Sequence, residues 1–306
     1  MKELWTEKYR PKTVDGYVFR DAGQKKQIQG WIKEGSIPHL LLSGTPGIGK
    51  TTLAKLLLNE LEISEYDILE INASRERGIS EVRERITNFV QMIPFSAFKC
   101  VLLDEADRLT PEAQDALKGV MEEYSNHSRF ILTCNTPQRI VPALHSRCQQ
   151  MHFASIDQVE YTARVATILV EEGVEFDLDV LDTYVKAVYP DLRKCINLVQ
   201  QNSVEGMLVD PKVEDSGVSD YKIEMVELFK KGKIQEARKL LCGRATAEEM
   251  PEIYRWCYDN IGLFGKDEET KDSAVIIIKQ GLVDHTLCAD AEINLSATLV
   301  KLARLQ

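Results

Sequence analysis

Long apolar runs are absent from this 306-residue chain. Runs such as Leu-Leu-Leu at 40–42 and Val-Ile-Ile-Ile at 275–278 fall far short of the roughly 20 residues that cross a bilayer as a helix. The opening MKELWTEKYRP carries charge where a leader would carry an apolar segment. The expectation is an intracellular protein with no membrane partner. Paired cysteines are absent too. The seven (Cys100, Cys134, Cys148, Cys195, Cys242, Cys257 and Cys288) are odd in number, scattered and never spaced C-x-x-C. That pattern argues against a zinc ribbon or a disulfide framework and predicts reduced, mostly buried thiols. Excess positive charge is missing as well: the formal net charge is −10, unsuited to wrapping nucleic acid over the whole surface.

The charge is unevenly spread. Residues 1–150 hold 20 Lys plus Arg against 20 Asp plus Glu, and residues 151–306 hold 18 against 28. An extended anionic ligand should therefore meet the first half, through a local cluster such as Arg75, Arg77, Arg83 and Arg85, while the acidic half suits protein partners. There is no tandem repeat and no low-complexity segment, and the length allows two or three domains.

What is present is a sharp signal at 44–52, GTPGIGKTT, between the apolar run at 40–42 and the helix-like LAKLLLNEL. Strand, Gly-rich turn and helix start are the parts of a phosphate-binding loop. Gly44, Gly47 and Gly49, with Thr45, Pro46 and Ile48 between them, turn backbone N–H groups onto phosphate oxygens. Lys50 adds charge beside the β- and γ-phosphates, Thr51 reaches a magnesium ion, and Thr52, in the first turn of the helix, completes the nucleotide-binding set. The predicted ligand is a nucleoside triphosphate with Mg2+.

Strand-like runs (HLLL, DILEINA, KCVLLDEAD, RFILTCN, QMHFA) alternate with helical patterns through the first half. This predicts an α/β fold with a parallel sheet and helices on both faces. From Ile156 onward the pattern predicts helices only, with Pro190-Asp191 opening a fresh helix and 209–219 serving as a linker. Asp104 and Glu105 end the third strand, where such sheets place their ligands; Asp104 is expected to hold magnesium and Glu105 to polarise the attacking water. An acidic pair after a strand is by itself only a solvated loop, and the phosphate loop upstream is what favours the catalytic reading. Asn135, after the fourth strand, is expected to hydrogen-bond the γ-phosphate or that water.

These pieces together resemble one family. WTEKYRP, IPHLLLSGTPGIGKTT, EINASRERGISEVR, LLDEADRLTPEAQDAL, MEEYSNHSRFILTCN, ALHSRCQQMHF and DLRKCINLVQ are similar to the small ATPase subunits of sliding-clamp loaders, the replication factor C type, and cover nearly all of residues 5–200. The resemblance implies an AAA+ ATPase domain over 1–154, a helical lid over 155–208 and a helical oligomerising collar over 209–306. It implies ATP as the nucleotide, hydrolysed with stimulation by clamp and DNA, and as partners other loader subunits in a pentamer, a sliding clamp and primer–template DNA.

Site residues follow from the same resemblance. Arg147, in Ser146-Arg147-Cys148, is expected to reach into the neighbouring subunit's site as an arginine finger. Arg193 is expected to tie the lid to the γ-phosphate of its own subunit, and Glu7, Lys8, Tyr9 and Val18 to line the adenine pocket. In NASRERGISEVRERI, Ser80 is a good N-cap, and Val82, Ile86, Phe89 and Val90 give the helix an apolar face, which leaves Arg83 free for a phosphate. Family likeness adds DNA contacts at Arg75, Arg77, Ser80, Arg83 and Lys118, of the kind that position the backbone without reading sequence.

The chain also departs from the family's usual pattern. Arg75 stands where Asp is usual, GTPGIGK replaces GPPGTGK, and Ala116-Leu117-Lys118-Gly119 replaces ALRR. One basic residue is thereby missing from the DNA-facing set, with Arg75 as its replacement, which leans towards a tailed-phage or archaeal loader. Two rival readings are disfavoured. A motor of the branch-migration helicase kind does not suit the acidic helical last third, and a non-hydrolysing structural subunit does not suit intact Lys50, Thr51, Asp104 and Glu105.

Overall fold

The computed structural model describes residues 3–75, 79–153, 156–210, 221–265 and 267–305, with side chains at all of these except 79–83. The chain divides into two compact units, Met1–Glu172 with Tyr189–Gln200, and Gly173–Val188 with Gln201–Gln306.

The first unit runs α1 (Trp5–Lys8), α2 (Ala22–Glu34), β1 (Leu40–Gly44), α3 (Lys50–Glu60), β2 (Ile68–Asn72), α4 (Ile79–Val90), β3 (Lys99–Asp104), α5 (Pro111–Glu123), β4 (Ser128–Cys134), α6 (Pro142–His145), β5 (Gln149–Phe153) and α7 (Gln158–Glu171). After α8 (Leu178–Val188), which belongs to the second unit, α9 (Leu192–Gln201) returns to the first. The five strands form one parallel sheet in the order β2-β3-β4-β1-β5. All five residues of β1 are buried because it lies between β4 and β5, whereas edge strand β2 keeps Glu70 exposed.

Alternation along the strands sorts the core. Leu41, Val101, Leu103, Phe130 and Leu132 pack with Ile86 and Val90 of α4 and Leu117 and Met121 of α5. The helix α3 contacts β1 and β4 and buries Leu53 and Leu57. Local chemistry sets the helix ends. Asp21 accepts the Gln24 N–H at 2.8 Å to open α2, and Gly35, at φ 67°, closes it in the left-handed region. Thr110 caps α5, with Pro111 in its first turn. The end of the sheet away from the phosphate loop is closed by a buried ion pair, Lys99 to Asp67 at 3.0 Å.

In the second unit α8 is joined by α10 (Tyr221–Lys230), α11 (Ile234–Arg244), α12 (Met250–Asp259), α13 (Glu268–His285) and α14 (Ala291–Ala303). The expectation of helices only after Ile156 needs one correction. Strands β6 (Ser203–Val204) and β7 (Met207–Leu208) pair antiparallel around Glu205 (φ 52°) and Gly206 (φ 80°). Positive φ at both central residues matches the twist of a two-residue hairpin, and Glu175 bonds the ribbon through its N–H to Gly206 O and its carbonyl to Leu208 N–H, both at 2.8 Å. The expected helix start after Pro190-Asp191 is present as α9. Most of the expected linker, 211–220, lies outside the described residues. Within this unit the buried carboxylate of Glu227 on α10 accepts the Thr183 hydroxyl of α8 at 2.6 Å. All seven cysteines are free thiols; five are buried, Cys242 is half-buried and Cys288 is exposed. No helix among the described residues is long and apolar enough to cross a membrane.

Candidate functional site

The C-terminal edge of the sheet gathers the residues expected to carry chemistry. β1 ends at Gly44 (φ 155°), where a Cβ would strike the Phe153 carbonyl oxygen of β5, so only glycine lets the loop leave the sheet there. The loop then delivers Gly49, left-handed at φ 93°, as the N-cap of α3 with no side-chain cap bond. The first N–H groups of α3 thus have no side-chain cap, and there a phosphate oxygen would supply what a Ser or Asp cap supplies elsewhere.

Lys50, 7% exposed, donates to Gly44 O and Thr45 O at 2.8 Å each and to Asn135 Oδ1 at 2.9 Å. An ammonium has three protons to donate, so all are engaged. Burial is the main influence pulling its pKa below the ordinary lysine value. Asn135 follows β4, and because its oxygen accepts from Lys50 its amide NH2 is left as the donor. The next residue, Thr136, gives its N–H to buried Asp107 at 3.0 Å, which pins this turn.

Asp104 closes β3. Its Oδ1 accepts the Thr51 hydroxyl at 2.7 Å and the Thr133 hydroxyl at 2.6 Å. Thr133 Oγ1 also accepts the Glu105 N–H at 3.1 Å. One buried hydroxyl therefore orients both acidic residues. Glu105 sits at φ 56°, ψ 43°, the left-handed region that a non-glycine residue rarely takes, and this turns it out of the strand path to cap a short 3-10 turn over Ala106–Arg108. The oxygen donors of Thr51 and Asp104 fit a hard divalent cation such as Mg2+, which takes oxygen ligands and keeps several waters.

Beside the loop lies an open cleft. Of the expected residues, Tyr9, Val18, Gly47, Ile48, Gly49, Thr52 and Arg193 line it. Glu7 and Lys8 are not on its lining: Glu7 pairs with Arg10 at 2.9 Å and Lys8 with Glu172 at 2.7 Å. Arg193 stands in the first turn of α9, which Asp191 caps by accepting the Lys194 N–H at 2.8 Å. The Asp191 carboxylate lies against the α-carbon of Gly47, where any Cβ would strike it, and burial raises its pKa.

Thr133, Tyr17 and Gln114 were not anticipated. Tyr17 is buried, its hydroxyl donates to Ile48 O at 3.3 Å, and burial pushes its pKa upward. Gln114 on α5 donates to Leu109 O (3.2 Å) and Arg139 O (3.1 Å) and accepts the Val141 N–H (2.8 Å). It thereby ties the segment after Glu105 to the one that leads to Arg147.

Arg147 is not on the lining of the cleft. It follows α6, donates to Ala143 O at 2.8 Å and forms an ion pair with Glu122 of α5, and this bond is the main cause that lowers the Glu122 pKa. Of the expected DNA contacts, Arg75 is exposed just beyond β2 and Lys118 is half-buried on α5. Arg77 lies outside the described residues, and Ser80 and Arg83 fall in α4 where side chains are not described.

Residues 40–155 match the family described as ATPase family associated with various cellular activities (AAA). The chain is 35% identical to the replication factor C small subunit of Sulfurisphaera tokodaii over 98% of this chain and 95% of that one. It is 36% identical to replication factor C small subunit 1 of Pyrobaculum islandicum (99% and 95%), and 35% identical to the replication factor C small subunit of Archaeoglobus fulgidus (99% and 98%). Among solved structures, the RuvB Holliday junction branch migration motor of Thermotoga maritima superposes with a TM-score of 0.55 over 81% of this chain and 80% of that one. At 18% identity that likeness is one of fold alone.

Proposed function

The chain belongs to the replication factor C small subunits, a family of AAA ATPases, and from that premise we propose that it is an ATP-hydrolysing subunit of a sliding-clamp loader. The observation that carries the reading is the gathering at one sheet edge of Thr51, which donates to Asp104, and of Asp104 and Glu105, which Thr133 joins, beside Lys50, which donates to Asn135.

In this reading Lys50 exchanges a carbonyl partner for phosphate oxygens. Thr51 and Asp104 hold Mg2+, which supplies charge neutralisation on the phosphates. Glu105 polarises the attacking water, and Asn135 donates its amide to that water or to the γ-phosphate. Tyr9 and Val18 border the base, and Arg193 reports the γ-phosphate. Arg147 acts on the neighbouring subunit's nucleotide, and its pairing with Glu122 stores the side chain until such a neighbour docks.

The division into 1–154, 155–208 and 209–306, the pentamer, the opening of the clamp, and the gripping of primer–template DNA through Arg75, Arg77, Ser80, Arg83 and Lys118 belong to the same proposal. So do slow basal turnover and its stimulation by clamp and DNA. The test is ATPase activity of the chain alone and with candidate partner subunits, clamp and primed DNA, each added in turn. A rise that needs all components is expected. A rate indifferent to clamp and DNA in a fully assembled complex would reject the loader reading while leaving the ATPase reading intact.

A further inference from the structure

The base side of the cleft is built on a segment that cannot hold itself. α1 is one turn long, and an isolated turn of helix is unstable in water. Its position comes from outside. The Trp5 N–H donates to Gln200 Oε1 at 3.0 Å, and Gln200 Nε2 donates to the Glu3 carbonyl at 2.8 Å. Glu172, the C-cap just beyond α7, accepts from Lys8 Nζ at 2.7 Å and from the Tyr9 hydroxyl at 2.8 Å on the same oxygen. Arg164, also on α7, donates to the Tyr9 carbonyl at 2.8 Å. The helices that grip the segment, α7 and α9, are the same two that bring Arg164, Leu192, Arg193 and Ile196 to the cleft.

We propose that Glu172 is a positioning residue for nucleotide binding: it fixes Lys8 and Tyr9 so that the base-side wall is carried on α7 and α9 and moves with them. The inference rests on the nucleotide reading of the cleft and extends it to a residue that does not line the cleft. Tyr9 is one wall residue and Glu172 sets its place. Removing Glu172 should weaken every adenine nucleotide alike, because the wall it steadies is on the base side. The γ-phosphate side, where Arg193 stands, should discriminate ATP from ADP as before.

The experiment measures affinity of the full chain for ADP and for a non-hydrolysable ATP analogue in wild type, Glu172→Ala, Glu172→Gln, Tyr9→Phe and the Tyr9→Phe/Glu172→Ala double variant. Glu172→Ala should weaken both nucleotides by roughly tenfold, as expected when a charge-assisted hydrogen bond is removed, with their ratio preserved. Glu172→Gln, which still accepts the Tyr9 hydroxyl, should recover part of that loss. The double variant should bind like Glu172→Ala, since the bond that Tyr9→Phe removes is already lost in Glu172→Ala. Unchanged affinities in a Glu172→Ala chain of lowered melting temperature would overturn the proposal in favour of simple stabilisation. A loss confined to the ATP analogue, or fully additive losses in the double variant, would overturn it as well. Failure of the wild type to bind either nucleotide would instead remove the nucleotide reading and this inference together.

Discussion

At the proposed phosphate end of the site Lys50 donates to carbonyls five and six residues away in sequence, whereas at the proposed base end Lys8 and Tyr9 are held by a carboxylate more than 160 residues away. The phosphate end is a strand, a turn and a helix start in one stretch of chain, and strand pairing alone brings Asp104 and Thr133 beside it. The base end depends on half-exposed side chains from α7 and α9. A site made of local backbone geometry is hard to move, and one made of long-range side-chain bonds is free to respond to those helices. The contrast suggests a division of labour: a fixed end for chemistry and an adjustable end for affinity.

The largest effects should come from the fixed end. Lys50→Ala should abolish productive ATP binding, because the loop loses the ammonium it holds. Glu105→Gln should bind ATP and stall, with turnover down by roughly 10²–10⁴, the range for a lost general base. Equilibrium binding and single-turnover hydrolysis separate the two outcomes. Wild-type hydrolysis by Glu105→Gln would end the assignment of the base and, with it, the claim that chemistry sits wholly at this end.

Arg147 sharpens the comparison because it belongs to neither end of its own cleft. Arginine fingers contribute ~10³–10⁵ in rate in GTPases, and a loader whose slow step is conformational will show less. Arg147→Ala should bind ATP normally and lose stimulated hydrolysis. Mixed with Glu105→Gln subunits, it should regain activity at interfaces that pair an intact Glu105 with an intact Arg147. No recovery, once subunit exchange is confirmed independently, would count against a shared site.

Thr133→Val tests whether one hydroxyl organises the acidic edge. It removes the donor to Asp104 and the acceptor of the Glu105 N–H at nearly constant volume. Hydrogen bonds to charged groups are worth about 1.5–3 kcal/mol, so turnover should fall roughly 10- to 100-fold with nucleotide affinity little changed. A Thr133→Ser chain that restores the hydroxyl should recover most of the rate, and failure to recover would assign the loss to packing.

What could be read from sequence follows the same contrast. The positions of the loop at 44–52, of strand-terminal Asp104 and Glu105, and of Asn135 were legible because a motif and a strand end fix them within one or two elements. Thr133 was not, because its role depends on register: Leu103 pairs with Leu132, so the residue after each falls side by side. Tyr17 and Glu172 depend on bonds between distant segments, and nothing in their neighbourhoods marks them. The ribbon at β6 and β7 escaped because two-residue strands carry no alternation and its turn is Glu-Gly, lacking the usual Asn or Asp. The expected DNA contacts at Arg75, Arg77, Ser80, Arg83 and Lys118 stay expectations drawn from family likeness.

The smallest effect should come from Tyr17→Phe, and it decides whether the two ends are separable. Tyr17 stands where they meet: its ring lies 3.0 Å from the position a Cβ on Gly49 would take, and its hydroxyl reaches Ile48 O across a long 3.3 Å. Phenylalanine keeps the ring packing and gives up only that bond. A neutral hydrogen bond contributes about 0.5–1.5 kcal/mol net, and one of this length belongs at the low end. Affinity for ADP and for a non-hydrolysable ATP analogue should therefore fall by no more than roughly threefold, with single-turnover hydrolysis unchanged. If Tyr17→Phe instead slowed hydrolysis as Thr133→Val does, the phosphate loop would owe its shape to the base side. The cleft would then be one mechanical piece, not a fixed end joined to an adjustable one.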